Sequence, residues 1–429
     1  MLTAFAATGS TDWPQWRGPN YDGMAVGDAP LKWSDTEHVA WKATVPGRGF
    51  SSPVIWENRI FLTTAVPTGA PASAAPPAEN AGARPAPPGA PRSAPPSEHK
   101  LMVMAFDRKT GKPLWERTAK TAVPHEGYHP MYGSFASNSP VTDGKHVIAF
   151  FGSRGVYCYT LDGKPVWEKD FGVQLKMRLS FGEGSWPTLD GNKLVLLFDQ
   201  EGGDSFLVTL DKNTGKELWR AQRPNDSNWS GPYITTVNGK KQVVVSATKK
   251  VVAYDLETGK SIWEVGGLGI NTIPSPIAAD GLIFVMSGYR NQKLLAVKLG
   301  RDGDLTGTDA IVWTADRGLA YTPSPVLHDG KLYILTDNGQ LSCFDAKTGK
   351  AYYQQQRLPK PYNFKASPVG ANGKLYLAAE DGDVIVVKMG ETFEILATNT
   401  LKDQSFISSP AVAGGELFLR GQNTLFCIR

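Results

Sequence analysis

Short stretches of alternating apolar and polar residues run through almost the whole chain, and tight turns separate them. Residues 105–115 (AFDRKTGKPLW) show the unit, in which an alternating strand ends at Asp107, a turn follows, and Trp115 opens a return strand. The Asp side chain can accept hydrogen bonds from turn amides, and Gly111 can adopt the positive φ that a tight hairpin needs. We expect the Trp ring to wedge against the neighbouring unit, with its indole N–H bonded to a backbone acceptor.

This phrase returns at residues 209–219, 253–263 and 343–353, and one residue shorter at 158–167. A second mark, an X-Pro pair before an apolar strand, occurs eight times, at Ser52-Pro53, Ser139-Pro140, Trp186-Pro187, Gly231-Pro232, Ser275-Pro276, Ser324-Pro325, Ser367-Pro368 and Ser409-Pro410. Because Pro is tolerated at the first residue of a strand, each pair marks the start of an innermost strand. A unit of four strands in about 40 to 50 residues has the period of a propeller blade. The sequence therefore predicts an all-β fold, an eight-bladed β-propeller of four-stranded antiparallel blades.

The two ends of the chain complete each other in this interpretation. The last unit stops one strand short at Arg429, whereas residues 38–45 form an isolated Trp strand without an X-Pro strand before it. We predict that this N-terminal strand completes the last blade, which closes the propeller and removes exposed sheet edges. The predicted domains are a residual signal or flexible N-terminus at 1–10, an irregular aromatic leader at 11–37 and a single propeller at 38–429. We expect the leader to pack on the outside of the propeller.

Composition narrows the class of protein. Residues 67–98 are dominated by Pro and Ala, which predicts a disordered insertion between the second and third strands of blade 1. The 45 basic and 41 acidic residues contain no basic run, so the sequence offers no footprint for nucleic acid. No apolar run approaches the roughly 20 residues of a membrane span. Cys158, Cys343 and Cys427 share one phase of the repeat in non-adjacent blades, which predicts buried thiols rather than a disulfide.

The repeated phrase, complete at 105–115 and 253–263, resembles the tryptophan-docking repeat of the pyrroloquinoline-quinone (PQQ) propeller superfamily, and the resemblance covers residues 38–429. That superfamily includes eight-bladed quinoprotein alcohol dehydrogenases and the non-catalytic propeller lipoprotein of the outer-membrane assembly machinery. The chain has neither the adjacent Cys-Cys pair of those dehydrogenases nor a Cys-x-x-Cys-His haem motif. The resemblance therefore implies the fold and leaves both functions open.

Unusual polar residues collect in the loops between blades and between second and third strands, which share one face. Propellers bind ligands where such loops converge, so we predict a site at the channel mouth of this loop-rich face. The predicted ligand-binding residues are His129, Arg178, Glu183, Glu201, Trp229 and Arg290. Carboxylates, arginines and a Trp platform suit a polar ligand, a quinone or a cation, and a salt-bridged rim is the alternative interpretation.

Two motifs resemble metal sites. Residues 125–129 (HEGYH) match the letters of a metalloprotease motif, but flanking Pro and Gly residues place them in a loop rather than on a helix. A loop-borne metal site using His125 and His129, or two structurally bonded histidines, are the remaining interpretations. Residues 302–307 (DGDLTG) have the alternating oxygens of a calcium loop, yet Trp313 stands where the bidentate Glu is required. We therefore predict an elongated turn there.

Two functions follow as hypotheses. The leading one is a binding or assembly scaffold that holds a protein partner or a small polar ligand at the channel mouth, with no certain cofactor. The alternative is a dehydrogenase that holds PQQ and calcium in the channel and oxidises an alcohol or sugar. Residues 1–7 look like the tail of a secretion signal, which predicts a periplasmic or secreted protein. We expect a monomer whose only membrane contact is peripheral, at the outer membrane.

Overall fold

Each X-Pro mark stands immediately before the first strand of a sheet in the computed structural model, which describes residues 11–69 and 97–429. Eight sheets each contain a four-stranded antiparallel meander. First strands of most neighbouring blades contact one another around the axis, including those of blades 8 and 1. The all-β, eight-bladed propeller is therefore confirmed, and its regular helix is limited to the 3₁₀ turns Gly152–Arg154 and Arg178–Ser180 within the described ranges.

In blades 1 to 7 the strands run outward from the axis in chain order. Those of blade 1 are Val54–Trp56, Arg59–Pro67, His99–Asp107 and Pro113–Ala122. Those of blade 2 are Val141–Thr142, His146–Phe150, Val156–Thr160 and Pro165–Lys169. Those of blade 3 are Thr188–Asp190, Lys193–Phe198, Ser205–Asp211 and Glu217–Arg223. Those of blade 4 are Tyr233–Val237, Lys240–Ser246, Lys250–Asp255 and Ser261–Gly266.

The second half of the ring repeats the arrangement. Blade 5 consists of Ile277–Ala279, Leu282–Ser287, Lys293–Lys298 and Ile311–Ala315, and its turn strand Gly303–Asp304 pairs with blade 4. Blade 6 consists of Val326–His328, Lys331–Leu335, Gln340–Asp345 and Ala351–Arg357. Blade 7 consists of Val369–Ala371, Lys374–Ala378, Asp383–Lys388 and Ile395–Thr400, with Met24–Ala25 parallel to its first strand. Blade 8 consists of Ala411–Ala413, Glu416–Arg420, Thr424–Ile428 and Val39–Thr44.

The predicted closure by the N-terminal strand is confirmed. Val39–Thr44 pairs antiparallel with Thr424–Ile428, so the chain's first blade strand is the outer strand of its last blade. Apolar side chains of the central strands are buried between adjacent blades, as where Phe150 of blade 2 meets Phe198 of blade 3. Burial of these faces stabilises the ring, at about 25 cal/mol for each Å² of apolar surface removed from water.

The repeated Trp residues join the blades as predicted. Five indole Nε1 atoms donate to backbone carbonyls in the third-to-fourth-strand turn of the next blade, at 2.8–2.9 Å: Trp41 to Arg108, Trp115 to Leu161, Trp167 to Lys212, Trp219 to Leu256 and Trp313 to Ala346. Each ring also lies over the turn glycine, and a Cβ added at Gly111 would come within 2.5 Å of the Trp41 ring. The repeat therefore needs Gly both for its positive φ of 70° and for the ring above it.

The aromatic leader does not pack on the outside of the propeller, so that expectation was wrong. It crosses the axial channel on the side of the first-to-second-strand turns. There the backbones of Trp13 and Ile55 form an isolated antiparallel β-bridge, and the Asp12 carboxylate accepts a hydrogen bond from the Glu57 amide. The Arg17 guanidinium, 2 % exposed, donates to the carbonyl oxygens of Pro368 and Pro325 at the starts of two inner strands. An open channel exposes backbone polar groups that the leader's own polar groups can satisfy.

Most of the predicted insertion at residues 67–98 lies outside the described residues. Its ends are held on the loop-rich face, because the Thr68 amide donates to the Glu98 carbonyl oxygen at 3.0 Å. All three cysteines are buried and free, and burial raises the pKa of each thiol to about 12. None of the helices in the described ranges has the length and apolar character needed to cross a membrane.

Candidate functional site

A cavity of about 440 Å³ lies at the channel mouth, surrounded by loops of the predicted loop-rich face. Eight aromatic residues line it, from the leader, the blade-connecting loops and the second-to-third-strand loop of blade 5: Trp16, Phe50, Tyr132, Phe181, Trp186, Trp229, Tyr289 and Tyr321. A concave, largely apolar space of this size with a few polar groups is typical of a ligand site.

Serines of the X-Pro marks form a hydrogen-bonded belt at the base of the cavity. The backbone N–H of one mark donates to the serine hydroxyl of the next blade at 2.8–2.9 Å, in the pairs Ser52 to Ser139, Ser275 to Ser324, Ser324 to Ser367 and Ser367 to Ser409. This belt satisfies amides that face the channel, which a sheet ladder cannot reach. It also explains why Ser is the commonest residue before these prolines.

Two tryptophans from distant parts of the chain meet inside the cavity. The rings of Trp16, from the leader, and Trp186 lie 4.0 Å apart between centroids at an angle of 43°. The indole of Trp16 donates to the Ser409 hydroxyl at 3.3 Å, which fixes the leader to the serine belt. Trp229 is held by a bond from its indole to the Gly182 carbonyl oxygen at 2.7 Å. The leader therefore supplies part of the cavity as well as blocking the channel.

Of the six predicted ligand-binding residues, His129, Glu183 and Trp229 line the cavity. The Glu183 carboxylate accepts bonds from the Ser153 amide at 2.6 Å and from Arg154 Nη1 at 2.7 Å, and the side chains of this pair are 10 % and 8 % exposed. Gly152, with φ of 59°, permits this approach, because a Cβ there would collide with the carboxylate. Both Glu183 oxygens are thus already used within the fold.

The other three predicted residues, Arg178, Glu201 and Arg290, are not among those lining the cavity, which corrects the predicted convergence. Arg178 lies 4.0 Å from Glu201, and the second Glu201 oxygen accepts a bond from the Ser227 hydroxyl at 2.5 Å. Arg290 is exposed and lies over the Tyr289 ring, 5.3 Å from its centroid. Arg178 and Glu201 have partners on neighbouring loops and Arg290 has one on its own loop, so the salt-bridged rim describes this part of the face.

The two histidines of the HEGYH stretch lie in a loop and have other partners. His125 Nε2 donates to the Leu175 carbonyl oxygen at 2.8 Å, and burial lowers the pKa of this imidazole. His129 Nδ1 accepts the amides of Met131 and Tyr132 at 3.3 Å, and burial, with Lys365 and Arg48 nearby, lowers its pKa. Within residues 11–69 and 97–429, no three His, Cys, Asp or Glu side chains come together as a metal site.

The DGDLTG stretch is the elongated turn that its sequence favours over a calcium loop. Asp304 Oδ1 accepts the Thr306 amide at 2.9 Å, and the Thr306 side chain and this amide lower the pKa of Asp304. The same turn pairs with the outer strand of blade 4 through Gly303–Asp304. Its acidic residue therefore shapes a turn that packs against the neighbouring blade.

Sequence reasoning missed Trp16, Lys365 and the serine belt. Lys365 lines the cavity beneath Tyr132, with Nζ 4.6 Å from the ring centroid, and lies 3.4 Å from Asp337 and 3.5 Å from Glu380. The serines stand in the X-Pro marks, and these marks indicate where inner strands start but not that the serines bond to one another. Neither Trp16 nor Lys365 belongs to a repeated phrase, so no sequence signal placed them.

The cavity residues do not fit calcium-held PQQ. Calcium prefers six to eight oxygen ligands, including carboxylates, whereas the one carboxylate lining this cavity, Glu183, is committed to Arg154. PQQ is a tricarboxylic acid that calls for several cations, and the single lining cation, Lys365, already faces two carboxylates. The residues present instead favour an uncharged ligand.

Fold and site together define a tryptophan-docked PQQ-type propeller with a cavity lined by aromatic side chains at its channel mouth. The chain belongs to the family described as outer membrane protein assembly factor BamB, whose model matches residues 99–301 and 301–392. A BamB of Yersinia pestis is 21 % identical over 343 residues, covering 76 % of this chain and 79 % of that protein.

Two solved structures share the fold at low sequence identity. BamB of Moraxella catarrhalis matches with a TM-score of 0.54 at 12 % identity, over 76 % of this chain and 91 % of that one. Quinohemoprotein alcohol dehydrogenase of Comamonas testosteroni matches with a TM-score of 0.66 at 12 % identity, over 98 % and 81 %. Likeness at this identity establishes the fold alone.

Proposed function

We propose that this protein is a periplasmic or secreted assembly scaffold that binds a protein partner on the loop-rich face. The observation that carries the proposal is apolar exposure beside the cavity. Met131 is 59 % exposed, Leu179 57 % and Val123 40 %, and all three lie in the loops that follow blades 1 and 2. Solvated apolar groups on a polar rim are typical of a protein interface, because docking removes them from water.

Family membership supports the same function. The relatives named BamB are assembly factors for outer membrane proteins, so we infer a role in that process, with peripheral association at the outer membrane and a monomeric propeller. A net charge of +4 without a basic run gives no reason to invoke nucleic acid. The alternative, a dehydrogenase using PQQ and calcium, is supported by likeness of fold and by a sequence match to a 1-butanol dehydrogenase (cytochrome c) that is 26 % identical over 38 % of this chain.

The test is a deletion of the gene in the organism that carries it. Deleting the gene should lower the amount of folded β-barrel protein in the outer membrane, and the intact gene should restore it. A Val123→Asp/Met131→Asp variant should fail to restore it, because buried carboxylates in an interface are costly. Leu114→Asp is the matched control, since Leu114 is 48 % exposed on the outer strand of blade 1 and away from the mouth.

Two results would overturn the proposal. One is an unchanged outer-membrane protein profile after deletion. The other is dye-coupled oxidation of an alcohol or sugar by the purified protein supplied with PQQ and calcium, which would establish the dehydrogenase instead. Cell fractionation checks the location separately, because a cytoplasmic protein could not serve the outer membrane.

A further inference from the structure

The hydroxyl groups of the serine belt have unused donors that face the cavity. Ser139, Ser324, Ser367 and Ser409 accept bonds through Oγ, yet none of these hydroxyls donates to another group in the described part of the chain. Ser52 lines the same cavity, and its hydroxyl makes no bond to any described residue. All five residues are at most 6 % exposed. Such buried hydroxyls cost free energy unless a ligand or solvent accepts their protons.

An unused acceptor lies in the wall of the same cavity. Asn138 is 5 % exposed, and its Nδ2 donates to the Phe150 carbonyl oxygen at 3.1 Å, whereas its Oδ1 has no partner among the described groups. A ligand that donates as well as accepts would pair with the serine hydroxyls and, after a rotation of the Asn138 side chain, with this oxygen too. An aliphatic or aromatic side chain would leave both sets of groups buried and unpaired.

Charge and shape narrow the ligand further. Glu183 and Lys365 are the acidic and basic residues lining the cavity, and each already has an oppositely charged partner, so a charged ligand would lack a counter-ion. The walls present the rings of Trp16, Trp186 and Trp229. Ring faces carry partial negative charge and attract the weakly positive C–H bonds on one face of a saturated ring. A neutral polyhydroxylated ring has all three required properties.

We propose that this cavity binds a neutral saccharide, with its ring on the tryptophan walls and its hydroxyl groups on the serine belt and Asn138 Oδ1. The bound sugar undergoes no reaction, and the site needs neither PQQ nor calcium. Leu179 of the proposed protein interface also lines this cavity, whereas Val123 and Met131 of that interface are not among its lining residues. The two functions can therefore be tested apart.

The experiment measures binding of cellobiose, maltose and N,N′-diacetylchitobiose to the full-length protein, without added cofactor, by calorimetry and tryptophan fluorescence. At least one sugar should bind saturably and change the fluorescence, while glucuronate and glucosamine should not bind. Ser52→Ala should weaken binding about fivefold, as expected for one lost hydrogen bond, without changing stability. Ser246→Ala is the matched control, because this buried serine also lacks a partner but is not among the residues lining the cavity.

Absence of saturable binding to all three sugars would overturn the proposal. Binding that Ser52→Ala leaves unchanged would also overturn it, because the sugar would then lie elsewhere. Tight binding of an aromatic peptide that excludes the sugars would assign the cavity to the protein partner. The Val123→Asp/Met131→Asp variant should still bind the sugar although it fails in assembly. The sugar site and the scaffold function can therefore fail independently of each other.

Discussion

The indole of Trp41 donates to the carbonyl oxygen of Arg108 at 2.9 Å, which joins the outer strand of blade 8 to a turn of blade 1. The Arg108 guanidinium donates back to two groups of blade 8. Its Nε lies 2.6 Å from the Glu416 carboxylate, and its Nη2 lies 2.7 Å from the Ala413 carbonyl oxygen. The ring is therefore closed by the same Trp contact that joins its interior blades, strengthened by an ion pair. Closure stabilises the fold because it leaves no blade with an unpaired face.

Replacing Trp41 with Ala should lower the free energy of unfolding by about 3–5 kcal/mol, because it leaves a cavity over Gly111 and an unpaired Arg108 carbonyl. Urea unfolding followed by circular dichroism measures the change. Leu114→Ala is the control, and this exposed position should change stability by no more than about 0.5 kcal/mol. An equal loss of unfolding free energy in the two variants would show that the Trp41 contact does not stabilise the closed ring.

Shortening the chain from its N-terminus should destabilise it in two distinguishable steps. Removal of residues 1–37 takes away the leader, including Trp13 at 1 % and Arg17 at 2 % exposure, and should lower the thermal midpoint while the protein stays monomeric. Removal of residues 1–46 also takes Val39–Thr44 and leaves Thr424–Ile428 as an open edge, which should cause aggregation. Light scattering and calorimetry measure the two effects. A soluble, equally stable protein lacking residues 1–46 would contradict the closure.

The repeat made the fold predictable from sequence, because each part of the phrase has one local mechanical role. Asp107 accepts the amides of Lys109 and Thr110, Gly111 takes positive φ, and Trp115 docks on the next blade, all as the residue types require. Because these local rules recur in most blades, the repeats support one prediction together even where a single copy departs from the pattern. Three interfaces depart from the Trp contact. Trp263 of blade 4 donates to the Gln242 side chain instead, and Tyr353 and Ala397 stand at the Trp position of blades 6 and 7.

The site could be predicted only in part, because its residues meet through tertiary structure. The loop-rich face and three lining residues followed from topology and loop composition. The direction of a loop side chain depends on local partners, and these held Glu201 and Arg290 outside the cavity. The leader has no repeat phrase, and its polar groups bond to inner-strand carbonyls that only the assembled ring brings together, as Arg17 does with Pro325 and Pro368.

Stability should depend on pH through Asp143, which joins the first turn of blade 2 to blade 3. Burial opposes ionisation, but Lys212 Nζ at 2.5 Å, the amides of His146 and Lys145 and the His146 ring outweigh it and hold the pKa of Asp143 well below its usual range. A lowered folded-state pKa gives stability that is fully present above the unfolded value of about 4 and is lost as pH falls toward the folded value.

The Asp143→Asn variant tests this linkage. At pH 7 it should be less stable than the unmodified protein, by on the order of 2 kcal/mol, and the difference should shrink steadily between pH 5 and pH 2. Urea midpoints across this range measure it. Asp162→Asn is the control, because the Asp162 side chain is 71 % exposed in its pair with Arg59 and should show little effect. A difference that stays constant with pH would exclude the linkage.

Replacement by Ala should lower the free energy of unfolding much more at Glu183 than at Arg290, although the sequence predicts both as ligand-binding residues. Loss of the Glu183 carboxylate leaves Arg154 buried without its ion-pair partner and the Ser153 amide without its acceptor, so Glu183→Ala should cost about 3 kcal/mol. Arg290 is exposed and lies over the Tyr289 ring, so Arg290→Ala should change stability by less than about 0.5 kcal/mol.

Glu183→Gln separates charge from hydrogen bonding at this position. The amide oxygen can still accept the Ser153 N–H, while the charge that pairs with Arg154 is gone, so this variant should lie between the unmodified protein and Glu183→Ala in urea unfolding. A Glu183→Ala protein as stable as the unmodified one would show that Arg154 finds solvent or another acceptor. Glu183 would then be free to serve a ligand, and the carboxylate could no longer be counted as part of the fold.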